Sequence, residues 1–229
     1  MDLKNKIVVI TGGSRGFGKA LAKTFHAEGS NVIIASHEES ELKKTSQELS
    51  VDSHLTDVTA AQAMENLGAY VINKYGAIDI WINNAGIQIA PSLAEEVVIE
   101  KLRHLFDVNF FGYIHGCQTA LRLMKKQNRG IIINVNSTAG LEGKAGLSAY
   151  CSSKFAIRGM TETIRKEIAD TKIKIYAIYP GGMQTDIYKE KYPDDIKEYM
   201  TAESVAEKVM SSLKSDNPKQ DLIIKRPKK

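Results

Sequence analysis

The sequence predicts an α/β protein, a doubly wound parallel sheet in a single domain. Short apolar, β-branched runs recur along the chain, and each is followed by a helical pattern. A Gly-rich turn joins the first run to the first helix. Strands covered on both faces by crossover helices read as continuous apolar runs, and strand–helix alternation is the pattern of a parallel sheet. With 229 residues and 43% hydrophobic content, the chain is long enough to bury one sizeable core of this kind.

Taken in order, the expected strands are Ile7–Thr11, 32–35, a weaker 53–55, 78–82, 131–135, 173–178 and a last one at 222–225. Helical patterns fall at 17–28, 38–49, 60–74, 93–126, 149–169 and 204–213. Gly29 and Asp170 are stop signals, and Thr201 or Ala202 opens the last helix. No repeat, low-complexity stretch or linker divides the chain. Its single domain is expected to have a cofactor half, about residues 1–135, and a catalytic and substrate half, about 136–229.

Charge and cysteine usage exclude several function classes. The net charge is +4, and Lys225, Arg226, Lys228 and Lys229 account for all of it. The body is therefore balanced, with no footprint for nucleic acid, and the basic tail reads as a frayed, soluble end. Cys117 and Cys151 lack CxxC spacing, and His26, His37, His54, His104 and His115 lack HxxxH or HExxH spacing. No metal site or disulfide is expected, and a reduced, cytoplasmic home fits. The apolar run at residues 7–10 is too short for a signal segment, and nothing approaches the ~20 apolar residues of a membrane span. No membrane partner is expected.

The turn Thr11-Gly12-Gly13-Ser14-Arg15-Gly16-Phe17-Gly18 lies between a strand and a helix. Glycines there allow positive φ and let backbone N–H groups approach a dinucleotide pyrophosphate at the positive helix end. The spacing is GxxxGxG, which differs from the commoner GxGxxG. The second strand ends at Ser36-His37, with no carboxylate before Glu38, and Arg15 lies inside the turn. A guanidinium with a serine hydroxyl and a nearby histidine suits a ribose 2′-phosphate, so NADP(H) is preferred. The competing reading has Glu38 or Glu39 reaching the ribose, with NAD(H) as cofactor. Asp57-Val58 is either a cap or an adenine contact, and Asn83-Asn84-Ala85-Gly86 can hold a loop against a flat ligand.

Taken together, these residues and those further along resemble a short-chain dehydrogenase/reductase of the TGxxxGxG, NNAG, YxxxK type. The match runs in order through the Gly turn, Asp57, Asn83–Gly86, Asn109, Ser137, Tyr150 with Lys154, and Pro180-Gly181 through Thr185. The resemblance implies a Rossmann-type fold, NAD(P)(H) binding and carbonyl–alcohol redox chemistry. It does not name the substrate, because this fold hosts many.

The chemistry can be argued from the residues. Hydride addition to a carbonyl leaves an alkoxide that needs a proton, and a free phenol at pKa ~10 holds its proton too tightly near neutrality. Lys154 stands four residues after Tyr150, on the same helix face, and its ammonium is expected to lower the Tyr150 pKa. Ser137 is expected to polarise the substrate oxygen. In this assignment Tyr150 is the acid in reduction and the base in oxidation. The resemblance further implies that Lys154 bonds the nicotinamide ribose and that Asn109 holds a water linking the lysine to solvent. It also implies that the loop Pro180-Gly181-Gly182-Met183-Gln184-Thr185 covers the nicotinamide. Asn109 read alone could instead be a buried helix residue bonding backbone.

The stretch from Thr185 to Thr201 is short, so a small lid and an open substrate site are expected. That feature and the Leu222–Pro227 ending argue against a ketoacyl thioester. Asn136, in place of the Ser common before the catalytic Ser, is expected to matter little. Gln88, Leu141, Leu147, Met183 and Tyr188 are expected to line an apolar pocket, with Glu142 and Lys144 facing water. A carboxylate substrate would want an arginine, and only Arg158 offers itself, on another helix face. The preferred reading is an NADP(H)-dependent reductase of a ketone, aldehyde or diketone, a homodimer or homotetramer. The alternatives are an alcohol or 3-hydroxy acid dehydrogenase, a 3-oxoacyl-thioester reductase, and a catalytically quiet NADPH sensor.

Overall fold

The computed structural model describes residues 1–226, so Lys228 and Lys229 of the basic tail lie outside the described residues. Seven parallel strands form one sheet in the order β3-β2-β1-β4-β5-β6-β7. They are β1 (Ile7–Thr11), β2 (Asn31–Ser36), β3 (Asp52–Leu55), β4 (Ile80–Asn83), β5 (Gly130–Val135), β6 (Ile173–Pro180) and β7 (Asp221–Ile224). The helices are α1 (Gly16–Ala27), α2 (Glu39–Leu49), α3 (Ala61–Tyr75), α4 (Ile99–Phe106), α5 (Gly112–Gln127), α6 (Ser148–Glu167) and α7 (Ala202–Lys214).

The continuous apolar run of β1 is explained by two cores, one on each face. Val8 and Ile10 pack with Phe17, Leu21 and Phe25 of α1 and Val205, Val209 and Met210 of α7. Ile7 and Val9 pack on the other face with Met64, Leu67 and Val71 of α3 and Ala120 and Met124 of α5. Every residue of β1 is buried, so no polar position interrupts it. Phe25 and Trp81 are fully buried, and truncating either to alanine would cost about 3–5 kcal/mol. The last helix starts where its cap dictates, since Thr201 Oγ1 accepts from Ser204 N at 3.2 Å.

Two expected elements differ. The strand expected at 78–82 begins at Ile80. Ile78 N instead donates to the Gln127 side chain at 2.9 Å, and Asp79 Oδ2 accepts from Ile7 N at 3.0 Å, so both residues serve as side-chain-capped lead-in. The single helix expected at 93–126 is broken. Val97 and Val98 are extended, a three-residue 3₁₀ turn precedes them, and a π-helical turn at Asp107–Phe111 separates α4 from α5. The π turn carries Asn109 inward, where its amide takes three hydrogen-bond partners that a regular helix would place out of reach.

Strand order reverses between β1 and β4, whose neighbours β2 and β5 lie on opposite sides. Crevices for ligands open at such reversals, outside the carboxyl ends of the strands.

Candidate active site

A continuous cleft of about 880 Å³ lies at that reversal. Its floor is the Gly turn after β1. Gly12 has φ +64°, and a Cβ there would lie 2.7 Å from Ala85 Cα, so only glycine fits. A Cβ at Gly18 would sit 2.2 Å from the Gly12 carbonyl oxygen. Thr11 and Asn84 stitch the two loops together. Thr11 Oγ1 accepts from Asn84 N at 3.0 Å and Ala85 N at 3.2 Å, while Asn84 Nδ2 donates to Thr11 O at 2.9 Å. The N-terminus of α1 has no side-chain cap and no acidic residue in its first turn. Its open N–H groups face the cleft through Gly16, Phe17 and Gly18, an arrangement that fits the phosphates of a dinucleotide. Thr185 borders Gly16 from the far side, at 3.5 Å from a Cβ built there.

The corner beyond Arg15 is more occupied than the sequence suggested. Ser14 Oγ donates to Ser36 Oγ at 3.1 Å, and Glu38 N donates to the same oxygen at 3.4 Å, so the Ser36 hydroxyl is already engaged. Arg15 Nη1 donates to Glu38 Oε2 at 2.9 Å, with His37 Nε2 3.7 Å from Glu38 Oε1. The arginine and the acid proposed for rival cofactors are thus ion-paired with each other. Asp57 accepts from Thr59 N at 2.9 Å and Thr59 Oγ1 at 2.8 Å, a cap, and it also faces the cleft beside Val58.

Two expected site residues lie behind the cleft wall. Asn83 is buried and accepts from Trp81 Nε1 at 2.8 Å, while its Nδ2 donates to Asn134 Oδ1 at 2.9 Å. Asn83 is the last residue of β4, and its neighbours Asn84, Ala85 and Gly86, in the loop beyond the strand end, line the cleft instead. Asn109 is fully buried, with Oδ1 accepting from Ile87 N at 2.8 Å and Nδ2 donating to Ile87 O at 2.9 Å. Asn109 thus bonds backbone, and its Oδ1 borders Gly86 from one side as Lys154 Nζ does from another.

Ser137, Tyr150 and Lys154 converge on the cleft. Ser137 follows β5 and caps a 3₁₀ turn, its Oγ accepting from Ala139 N at 3.1 Å. Tyr150 lies in the first turn of α6, and Lys154 one turn later donates to Val135 O at 3.2 Å. The ammonium lies 5.7 Å from the Tyr150 ring centroid and 5.3 Å from that of Tyr113. Asn136 ties this group together. Its Oδ1 accepts from Ser137 N at 2.9 Å and its Nδ2 donates to Lys154 O at 3.1 Å. An Asn at the end of a central strand, next to the candidate serine, was the signal available.

The titration of this group departs from expectation. Burial pushes the Tyr150 phenol well above its ordinary range, the nearby Tyr188 adds to this, and hydrogen bonding with Ser137 opposes it. Burial alone lowers Lys154 to about 7. Burial of both groups opposes the lowering of Tyr150 by Lys154 that the sequence leads one to expect.

Gln88, Leu147, Met183 and Tyr188 line the substrate end as expected, but Leu141 does not; it ends the 3₁₀ turn after Ser137 and sits outside the cleft. Glu142 and Lys144 lie at the rim. Ile87, Ile187, Tyr199, Lys225 and Arg226 also line the cleft and were missed. The tail could have been placed from sequence, since a last strand parallel to β6 must release the chain at the same end as Pro180 and Gly181. Arg158 pairs with Glu162 at 2.8 Å and faces away, as expected.

The fold and this cleft define a nucleotide-binding oxidoreductase of the Rossmann class. The chain matches the short chain dehydrogenase family over residues 6–196 and belongs to it. It is 33% identical over 214 residues to an uncharacterised oxidoreductase of Staphylococcus aureus (strain MW2), covering 92% of each. It is 34% identical over 200 residues to 3beta-hydroxysteroid dehydrogenase 1 of Eggerthella lenta, covering 84% of this chain and 76% of that one. A short chain dehydrogenase/reductase from Burkholderia phymatum, solved in complex with NAD, superposes with a TM-score of 0.89. It covers 99% of this chain and 90% of its own at 23% identity, a likeness in fold. The protein is an NAD(P)-dependent dehydrogenase or reductase.

Proposed function

We propose that the protein is an NADP(H)-dependent reductase that converts a ketone, aldehyde or diketone to an alcohol, with Tyr150 as the proton donor. The observation that carries this reading is the convergence of Ser137, Tyr150 and Lys154 on a cleft whose other end is an uncapped, glycine-lined helix terminus. A bound reduced nicotinamide supplies the hydride. Ser137 donates to the substrate oxygen and sets the orientation of the carbonyl. Tyr150 transfers its phenolic proton to that oxygen, so the carbonyl carbon gains the hydride and the oxygen gains the proton. Lys154, poised at about 7, takes up a proton from solvent, and its charge then stabilises the phenolate left behind. Asn136 fixes Ser137 relative to Lys154, and Asn109 fixes the Ile87 backbone at the cleft wall.

Preference for NADP(H) rests on Arg15 at the cleft, where its guanidinium suits a 2′-phosphate, with Glu38 as the opposing group. The apolar walls supplied by Ile87, Leu147, Ile187 and Tyr188 favour a substrate with a hydrophobic body. Together with the hydroxysteroid dehydrogenase relative, those walls also support a second reading, oxidation of a ring alcohol. Phe111 and Phe155 are 48% and 43% exposed on adjoining helical segments and suit a homodimer or homotetramer contact. No helix among the described residues is long and apolar enough to cross a membrane. We place the enzyme in the cytoplasm, as its reduced cysteines suggest.

The test is steady-state oxidation of NADPH and of NADH by purified protein over ketones, aldehydes, diketones and ketoacyl thioesters. The reading expects turnover of ketones or diketones with NADPH ahead of NADH. A preference for NADH would remove the cofactor assignment, and no carbonyl turnover over the panel would remove the reductase.

A further inference from the structure

Arg226, which follows β7, lies against the lid, residues 186–201. Arg226 Nη1 donates to Asp195 Oδ2 at 2.8 Å, and its guanidinium carbon lies 4.4 Å from the centroid of the Tyr199 ring. Both partners belong to the lid. Tyr199 then meets the Tyr188 ring edge-on at 5.7 Å. A Cβ built on Gly182 would lie 2.4 Å from the Tyr199 ring, so that ring also closes over the backbone after β6. Tyr188 is half-buried in the cleft and near enough to raise the proton affinity of Tyr150. A line of contacts therefore runs from Arg226 through Tyr199 to Tyr188, which lines the cleft that Tyr150 also lines.

The lid has little regular structure of its own. Two three-residue 3₁₀ turns, Asp186–Tyr188 and Ile196–Glu198, are its main elements, and neither contains a buried residue. Its far edge is held by Glu190, which accepts from Ala90 N at 3.0 Å and from Lys101 Nζ at 3.4 Å. The near edge is held at its base by Gln184, whose Nε2 donates to Lys197 O at 3.1 Å and Tyr199 O at 2.7 Å, and by the pairing of Met200 with Gly182 and Gln184. Arg226 adds an ion pair and a ring contact at once. Only a planar guanidinium makes both contacts, since an ammonium keeps the charge but loses the flat face.

We propose that Arg226 is a positioning residue for substrate binding: the C-terminal segment fastens the lid through Asp195 and Tyr199 and so holds Tyr188 as the wall against which the substrate packs. Arg226 is thereby part of the substrate site. The kinetic consequence rests on the carbonyl-reductase reading, whereas the fastening itself does not.

Limited trypsin digestion of the full chain tests the fastening without any substrate. Lys189, Lys191 and Lys197 are exposed lid residues, and cleavage after them reports how often the lid opens. Arg226→Met should speed lid cleavage about tenfold, Asp195→Asn about threefold, and Arg226→Lys by an intermediate factor, with thermal unfolding unchanged. With a carbonyl substrate in hand, Arg226→Met should raise KM about tenfold while kcat stays within about twofold and the Kd for NADPH is unmoved, and Arg226→Lys should restore part of the loss. Lid cleavage at the wild-type rate in both Arg226→Met and Asp195→Asn would overturn the proposal. If the wild-type protein turns over no carbonyl, the reductase reading fails, and the digestion still decides the role of Arg226.

Discussion

The two rims of the cleft are built by different means. The rim along β1, β4 and β5 is made of strand ends and helix starts. Its side chains are committed to backbone partners: Thr11 and Asn84 lock the Gly turn, Asn136 locks Ser137, and Asn109 locks Ile87. The opposite rim, the lid and the C-terminal segment, is made of 3₁₀ turns and exposed ion pairs such as Arg226 with Asp195 and Lys101 with Glu190. Exposed pairs each hold about 0–1 kcal/mol, so this rim opens at far smaller cost than the other. The reaction is assigned to the rigid rim and the choice of substrate to the soft one.

That division can be broken by exchanging which kinetic constant each rim controls. The largest effect is expected at Tyr150. Tyr150→Phe removes the proton donor and keeps the ring, so kcat should fall about 10²–10⁴-fold with unchanged NADPH affinity by fluorescence titration. Retention of most activity would move the chemistry elsewhere. On the soft rim, Tyr188→Ala should raise KM about tenfold with kcat within about twofold, because it removes a wall and leaves the acid. A collapse of kcat there would erase the distinction between the rims.

Glu38→Gln probes the ribose corner of the rigid rim. Releasing Arg15 from its ion pair should raise the NADPH-to-NADH ratio of kcat/KM by about five- to tenfold, and high salt should shrink that gain. An unchanged ratio would show that Arg15 does not meet the phosphate.

The smallest effect is on stability, and its sign follows from burial. Lys154 titrates at about 7 in the folded chain against 10.5 in the open. The unfolded chain therefore holds more protons between those values, and wild-type stability rises with pH across that window. Lys154→Met should thus abolish turnover yet raise Tm, on the order of 5 °C near pH 7, with the gain fading toward pH ~10. A lower Tm at neutral pH would show that the lysine is better compensated than its surroundings indicate.

The same contrast explains what could be read from the residues beforehand. Strands such as Ile7–Thr11 were legible because burial on both faces leaves an unbroken apolar run. The Gly turn and the Ser137, Tyr150 and Lys154 set were legible because their chemistry demands particular residue types at fixed spacing. The break at Asp107–Phe111 was not, since a π turn depends on a distant partner, the Ile87 backbone, that no local pattern records. Asn83 and Asn84 could not be told apart, because which of two adjacent amides faces the cleft depends on the register of β4 against β5. The Arg15–Glu38 pair joins residues 23 positions apart, and Arg226 reaches Asp195 across 31. Such contacts arise from folding, and sequence spacing carries no trace of them.

The most direct test uses NADPH deuterated at the transferable hydrogen of its nicotinamide, with whichever ketone or diketone the wild-type protein reduces, followed by NMR of the product. Deuterium at the carbinol carbon with wild-type protein, and its loss in step with turnover in Tyr150→Phe, is the predicted result. Tight NADPH binding with no deuterium in any product, or equal labelling by Tyr150→Phe, would contradict it.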